Sequence, residues 1–150
     1  MEFMNIDEIL AYAIANEEKA AALYNGLAET VVRPGMREAF LHFAKEEEGH
    51  KARLLKIREG EIPVDDETKV ADLKITEQLV EREPTPNMTY QEALLFAMKA
   101  EKAAFVLYTK LAEMTSDANL QRVFRNLAQE EAKHKLRFEL EYDEHVLEGV

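Results

Sequence analysis

Glu47-Glu48-Gly49-His50 and Glu131-Ala132-Lys133-His134 are two Glu-x-x-His tetrapeptides whose positions differ by 84 residues. The same shift lays Glu17 on Glu101, Tyr24 on Tyr108, Leu27-Ala28-Glu29 on Leu111-Ala112-Glu113, Phe40 on Phe124 and His50-Lys51 on His134-Lys135. In a chain with 24 Glu among 150 residues, a lone Glu-x-x-His is a weak motif. A gapless register shared by both motifs, both partner glutamates and both tyrosines is not what scattered surface glutamates produce. Each half therefore reads as the same helical hairpin, offering one Glu from its first helix and Glu-x-x-His from its second. Two such hairpins supply four carboxylates and two imidazoles, an inventory that suits two metal ions inside a four-helix bundle.

The flanking sequence supports the helices. Ile6, Ile9, Leu10, Ala13, Glu17, Ala20, Tyr24, Leu27 and Val31 recur at steps of three and four. Asn5, with Glu8 three residues on, has the form of a capping box, and Val31-Val32-Arg33-Pro34-Gly35 ends this first helix. The second helix is expected to bury Phe40, Phe43, Ala44, Glu47, His50, Leu54 and Ile57 and to stop near Gly60. Thr89 and Glu92 repeat the cap for the third, whose face is Leu94, Ala97, Glu101, Ala104, Tyr108 and Leu111. Ser116-Asp117 makes the next turn. Asp117 caps a fourth helix with Leu120, Phe124, Leu127, Ala128, Glu131, His134 and Phe138 inward.

Residues 1–150 thus read as one all-α domain, an antiparallel four-helix bundle of two duplicated hairpins, about 5–59 and 89–147. The crossover between them, about 60–88, contains Pro63, Pro84 and Pro86, and Val70 to Leu79 forms either a short helix or an extended segment. Short hairpin turns make each helix pair antiparallel. A link that carries the chain back along the bundle makes the second and third helices parallel.

Counting from the turns puts Glu17 level with His50 and Glu101 level with His134, near mid-height, where a twofold axis can bring two half-sites together. Within each tetrapeptide, Glu and His share a helix face. Tyr24 and Tyr108 are core aromatics or donors to the ligating carboxylates. Glu18, Glu46, Glu48 and Glu130 read as a solvated face, His42 and His145 as surface or helix-end residues, and the six Met as packing. Oxygen-rich ligation with one imidazole per metal suits iron or manganese better than a closed zinc site, and open positions imply chemistry on O2 or peroxide.

Composition narrows the partners. A formal net charge of −11 argues against nucleic acid and anionic membrane. With no Cys there is no disulfide, thiolate nucleophile or cysteine-held iron. The N-terminus lacks the blocks of a signal peptide and no apolar run reaches membrane length, so a cytoplasmic protein is expected.

Glu17 with Tyr24, Glu47-x-x-His50, Glu101 and Glu131-x-x-His134, together with the long crossover, resemble the rubrerythrin branch of the ferritin-like superfamily over nearly the whole chain. The resemblance implies a ferritin-like bundle with two iron ions, manganese or a mixed pair being the alternatives. It implies a di-iron oxidoreductase that reduces hydrogen peroxide, or O2. Glu47 and Glu131 would bridge, Glu17 and Glu101 would be terminal carboxylates, and His50 and His134 terminal or redox-dependent ligands. Two departures stand out. Typical members append a rubredoxin-like domain with four cysteines. This chain has none, so its electron donor is expected to be a separate rubredoxin-like protein. They also carry an extra carboxylate three residues after the third-helix Glu, where this chain has Ala104, which makes the site more symmetric. The competing reading is an iron-binding or ferroxidase protein for storage or detoxification, a ferritin cage being disfavoured because Val150 closely follows the fourth helix. Apolar crossover residues such as Leu73, Ile75 and Leu79 suggest a homodimer, with exchange of hairpins between chains left open.

Overall fold

The computed structural model describes residues 6–31, 35–60 and 89–148. They form four helices and no strand: α1 (Ile6–Thr30), α2 (Met36–Arg58), α3 (Tyr90–Met114) and α4 (Ala118–Glu148). The expected cap at Asn5, the Val32-Arg33-Pro34 turn and the crossover with Val70, Leu73, Ile75 and Leu79 lie outside the described residues.

Local chemistry sets the helix ends. Thr89 accepts a hydrogen bond from the Glu92 amide at 3.1 Å while the Glu92 carboxylate accepts from the Thr89 amide, the reciprocal box read from the sequence. Asp117 Oδ1 accepts from the Leu120 amide at 3.0 Å and so caps α4. Gly35 before α2 and Gly60 after it both take φ of 82°, a backbone region open to glycine at little cost. At the end of α3, Thr115 turns to an extended conformation and its hydroxyl donates to the Leu111 carbonyl at 2.7 Å.

α1 packs along α2 and α3 along α4, as short turns require. Two apolar layers join the hairpins. One gathers Ile9, Leu10, Leu54, Ile57, Leu107, Leu111, Leu120 and Phe124, from the start of α1, the end of α2, the end of α3 and the start of α4. The other gathers Leu27, Met36, Phe40, Phe43, Ala93, Leu94 and Phe138, from the opposite helix ends. The end of α2 and the start of α3 therefore sit at opposite ends of the bundle. α2 and α3 run in the same sense, the one-crossover topology of ferritin-like folds.

Duplicated residues occupy duplicated places: Phe40 and Phe124, Tyr24 and Tyr108, and Leu10 and Leu94 are all buried to within 2% of full enclosure. The register breaks toward the end of α4, where Glu141, the counterpart of Ile57, is buried and accepts a hydrogen bond from Tyr90 at 3.0 Å.

In the second layer Phe138 lies 5.1 Å from the Tyr24 ring, 5.2 Å from Phe43 and 5.9 Å from Phe40, centroid to centroid. Truncation there removes a large, fully buried ring that touches both hairpins. Phe138→Ala is expected to destabilise the fold by about 3–5 kcal/mol, measured by denaturant titration.

Candidate metal centre

Between the two apolar layers lies a layer of ionisable side chains. Glu17, Glu47, His50, Glu101, Glu131 and His134 are each no more than 2% exposed. Each helix delivers its part by its own periodicity: Glu17 from the middle of α1, Glu101 from the middle of α3, and a Glu and His one turn apart from α2 and α4.

His50 Nδ1 lies 2.6 Å from Glu131 Oε1, 3.5 Å from Glu17 Oε2 and 3.7 Å from Glu47 Oε2. His134 Nδ1 lies 2.7 Å from Glu47 Oε1 and 3.5 Å from Glu101 Oε1. The imidazoles are stacked, 6.1 Å apart and tilted by 11°. Two groups of donor atoms result, each within 4.8 Å of one another: Glu17, Glu47, His50 and Glu131, and Glu47, Glu101, Glu131 and His134. Glu47 and Glu131 belong to both. All six sequence-predicted ligands are thus brought together, and the Nδ1 of each imidazole sits closest to the Glu of the other hairpin's tetrapeptide.

Both tyrosines also reach this layer, from the opposite repeat. Tyr24 donates to Glu101 Oε1, and Tyr108 donates to Glu17 Oε1 at 2.5 Å. They are at once core aromatics and donors to carboxylates. Burial, together with the carboxylates they face, pushes both phenols well above their ordinary range and keeps them neutral.

The electrostatics are those of four acids enclosed with two bases. Burial and then the Glu47 carboxylate push Glu17 up to about 8. Burial and the neighbouring Glu101, Glu17 and Glu47 push Glu131 well up. Burial and Glu101 would raise Glu47 as well, but the Glu17, His134 and His50 side chains beside it hold it below the usual carboxylate value. Burial would lower the imidazoles. The facing carboxylates outweigh it, lifting His50 to about 10 through Glu17 and Glu47, and His134 to about 11 through Glu101 and Glu47.

Glu17 Oε2, Glu47 Oε1, His50 Nδ1, Glu101 Oε2, Glu131 Oε1 and His134 Nδ1 are buried and make no hydrogen bond; where they come close, as His50 does to Glu131 and His134 to Glu47, the contact is one of opposite charge alone. An orphaned buried polar atom costs about 1–3 kcal/mol, so six converging in one layer call for a shared partner. Two divalent cations fit: they would serve all six atoms and balance four carboxylate charges.

Two residues were misread from the sequence. Glu46 and Glu130 are not on a solvated face. Each is about two-thirds covered, and they meet His134 Nε2 and His50 Nε2 respectively. They stand one residue before the motif glutamates and are themselves 84 residues apart, the signal that would have found them. Glu18 and Glu48 are exposed as expected, Glu18 pairing with Lys51 at 2.9 Å. His42 is exposed and paired with Glu46, and His145 rests edge-on against Tyr90. Neither enters the layer. Ala104 packs half-buried against the first apolar cluster.

Residues 8–142 match the rubrerythrin family. The chain belongs to that family. No curated protein matches the sequence. Among solved structures, a hypothetical protein from Pyrococcus furiosus is similar, with 28% identity, 93% of this chain and 89% of that one covered, and a TM-score of 0.73. A Thermotoga maritima protein described as ferritin-like and diiron-carboxylate has the same fold, with a TM-score of 0.81 at 22% identity, over 97% of this chain and 99% of that one. Rubrerythrin membership agrees with the acid layer as well as with the topology. No described helix is long and apolar enough to cross a membrane.

Proposed function

We propose that this rubrerythrin-family protein is a di-iron oxidoreductase that reduces hydrogen peroxide with electrons from a separate donor protein. The observation that carries the reading is the convergence of six buried, unpartnered ligand atoms into two overlapping groups. Glu17 and His50 would hold one ion and Glu101 and His134 the other, with Glu47 and Glu131 shared. Bound iron would supply redox equivalents at neutral pH, two electrons and two protons being needed to turn one peroxide into two waters.

The chain's own residues prepare that place. Tyr24 and Tyr108 fix one oxygen of each terminal carboxylate and leave the other facing inward. Phe43, whose ring centroid is 4.6 Å from that of His134, belongs to the apolar layer that screens one side from water. Neutral ligation by four carboxylates and two divalent ions makes the loaded core tolerable, where four unpaired anions would not be.

The reduced, iron-loaded protein is expected to oxidise faster with hydrogen peroxide than with O2 in stopped-flow absorbance. Faster oxidation by O2, with iron accumulating beyond two per chain, would replace this reading by a ferroxidase that serves storage or detoxification.

The assembly proposed is a homodimer in the cytoplasm. Leu136 and Leu140, one turn apart on α4, are about half exposed and offer an apolar stripe. Sedimentation at micromolar concentration is expected to give twice the chain mass. A monomer there would reject the dimer.

A further inference from the structure

The buried layer is completed by two carboxylates that reach no ligand atom. Glu46 on α2 places Oε2 2.8 Å from His134 Nε2 on α4, and Glu130 on α4 places Oε2 on His50 Nε2 on α2. The exchange is reciprocal between hairpins. With Nε2 engaged by a carboxylate, Nδ1 is the nitrogen left for a cation once its own proton is displaced, and Nδ1 is the atom that faces the acid layer in both cases.

The remaining oxygens are tied differently. Glu130 Oε1 faces Arg53 Nη2 at 3.5 Å, whereas Glu46 Oε1 pairs with His42. The repeat explains why. Arg53 corresponds to Arg137, which instead turns to the Met36 sulfur at 3.3 Å, and His42 corresponds to Asn126. Outside Glu130 opens a cavity of about 360 Å³ lined by Arg53, Val123, Asn126, Gln129, Glu130 and Lys133. Glu130 thus stands between water and the His50 ring.

We propose that Glu46 and Glu130 are positioning residues, each locking the imidazole of the opposite hairpin with Nδ1 inward, and that their unlike outer partners make the two halves of the centre inequivalent. The proposal rests on the metal-centre reading above. The symmetry expected from Ala104 concerns the inner ring of ligands, which is matched; the ring outside it is not.

Cobalt(II) provides a probe that needs no turnover. In the cobalt-loaded protein each ligating imidazole should give one exchangeable, paramagnetically shifted N–H proton resonance, and the two should have different shifts. Glu130→Ala should weaken binding of one cobalt by about 10–100-fold and lose the His50 resonance to exchange with water from the cavity. Glu46→Ala should do the same for the His134 resonance alone. Glu130→Gln, which keeps a carbonyl acceptor, should restore the His50 signal and most of the affinity. Arg53→Gln should move the His50 signal and leave that of His134 in place.

Failure of the wild type to bind cobalt would overturn the metal-centre reading itself. Two cobalt ions bound as before in both Ala variants, with both resonances retained, would overturn the positioning role while leaving that reading intact. Movement of both resonances, or of neither, in Arg53→Gln would overturn the inequivalence. Collapse of the fold in an Ala variant leaves the Gln and Arg53 variants to decide the outcome.

Discussion

Replacing Glu47 and Glu131 together by Ala is expected to take the protein from about two bound metal ions per chain to nearly none. These are the two carboxylates that belong to both groups of donor atoms, so their loss opens both half-sites at once. Glu17→Ala should be gentler, since Glu17 serves one group and leaves Glu47, Glu101, Glu131 and His134 together. Elemental analysis of protein purified without oxygen measures both. Circular dichroism separates metal loss from unfolding, and the four helices should persist at neutral pH because both apolar layers remain. Full metal content in the double variant would show that the ions are held elsewhere.

With metal removed, heating the protein at a series of pH values from about 5 to 9 should give a melting temperature that falls as pH rises. The sign follows from where protons sit. Glu17 is raised to about 8, so its folded form keeps a proton that an unfolded carboxylate has already lost. The stability this contributes disappears as pH climbs through that value. His50 and His134 are raised to about 10 and 11, so their contribution is complete below the ordinary imidazole range and declines above it. Glu47 is shifted the other way, and its contribution is lost only below the usual carboxylate range, outside this window.

Metal loading should cancel this decline. Ions entering the layer displace one proton each from Glu17, Glu131, His50 and His134, so affinity increases with pH and offsets the stability that the metal-free fold loses. Calorimetry with and without excess manganese(II) compares the two curves, and the gain in melting temperature on loading should widen as pH rises. A gain that stays constant or shrinks would mean that these residues do not exchange protons for metal.

Much of this was legible in the chain because the fold repeats. The 84-residue register located both hairpins, the six ligand residues and the two tyrosines, and the Thr89–Glu92 and Asp117 caps marked where the second hairpin's helices begin. What escaped was geometry between hairpins. Helix periodicity places Glu46 and Glu130 about 100° around their helices from Glu47 and Glu131, on the margin of the buried face. From one helix alone they look solvated. Only the facing helix, with an imidazole nitrogen within reach of a long, flexible side chain, turns them inward. Which repeat each tyrosine serves was hidden for the same reason, since sequence spacing ties Tyr24 to Glu17 while the fold ties it to Glu101. Buried Glu141 left no trace at all: its counterpart is Ile57, and its partner Tyr90 lies on another helix.

The crossed pairings carry a genealogical implication. Tyr24 serves Glu101 and Tyr108 serves Glu17, Glu130 serves His50 and Glu46 serves His134. In these four contacts, where one half reaches its neighbour, the neighbour reaches back from the corresponding position. That is the arithmetic of an isologous contact, the kind made when two copies of one molecule meet about a twofold axis. An ancestor half this length could have assembled the entire pocket by self-association, no residue inventing a new partner when the genes fused. Fusion then released the halves from identity, and Arg53 beside Glu130, answered by His42 beside Glu46, records how far they have since drifted apart.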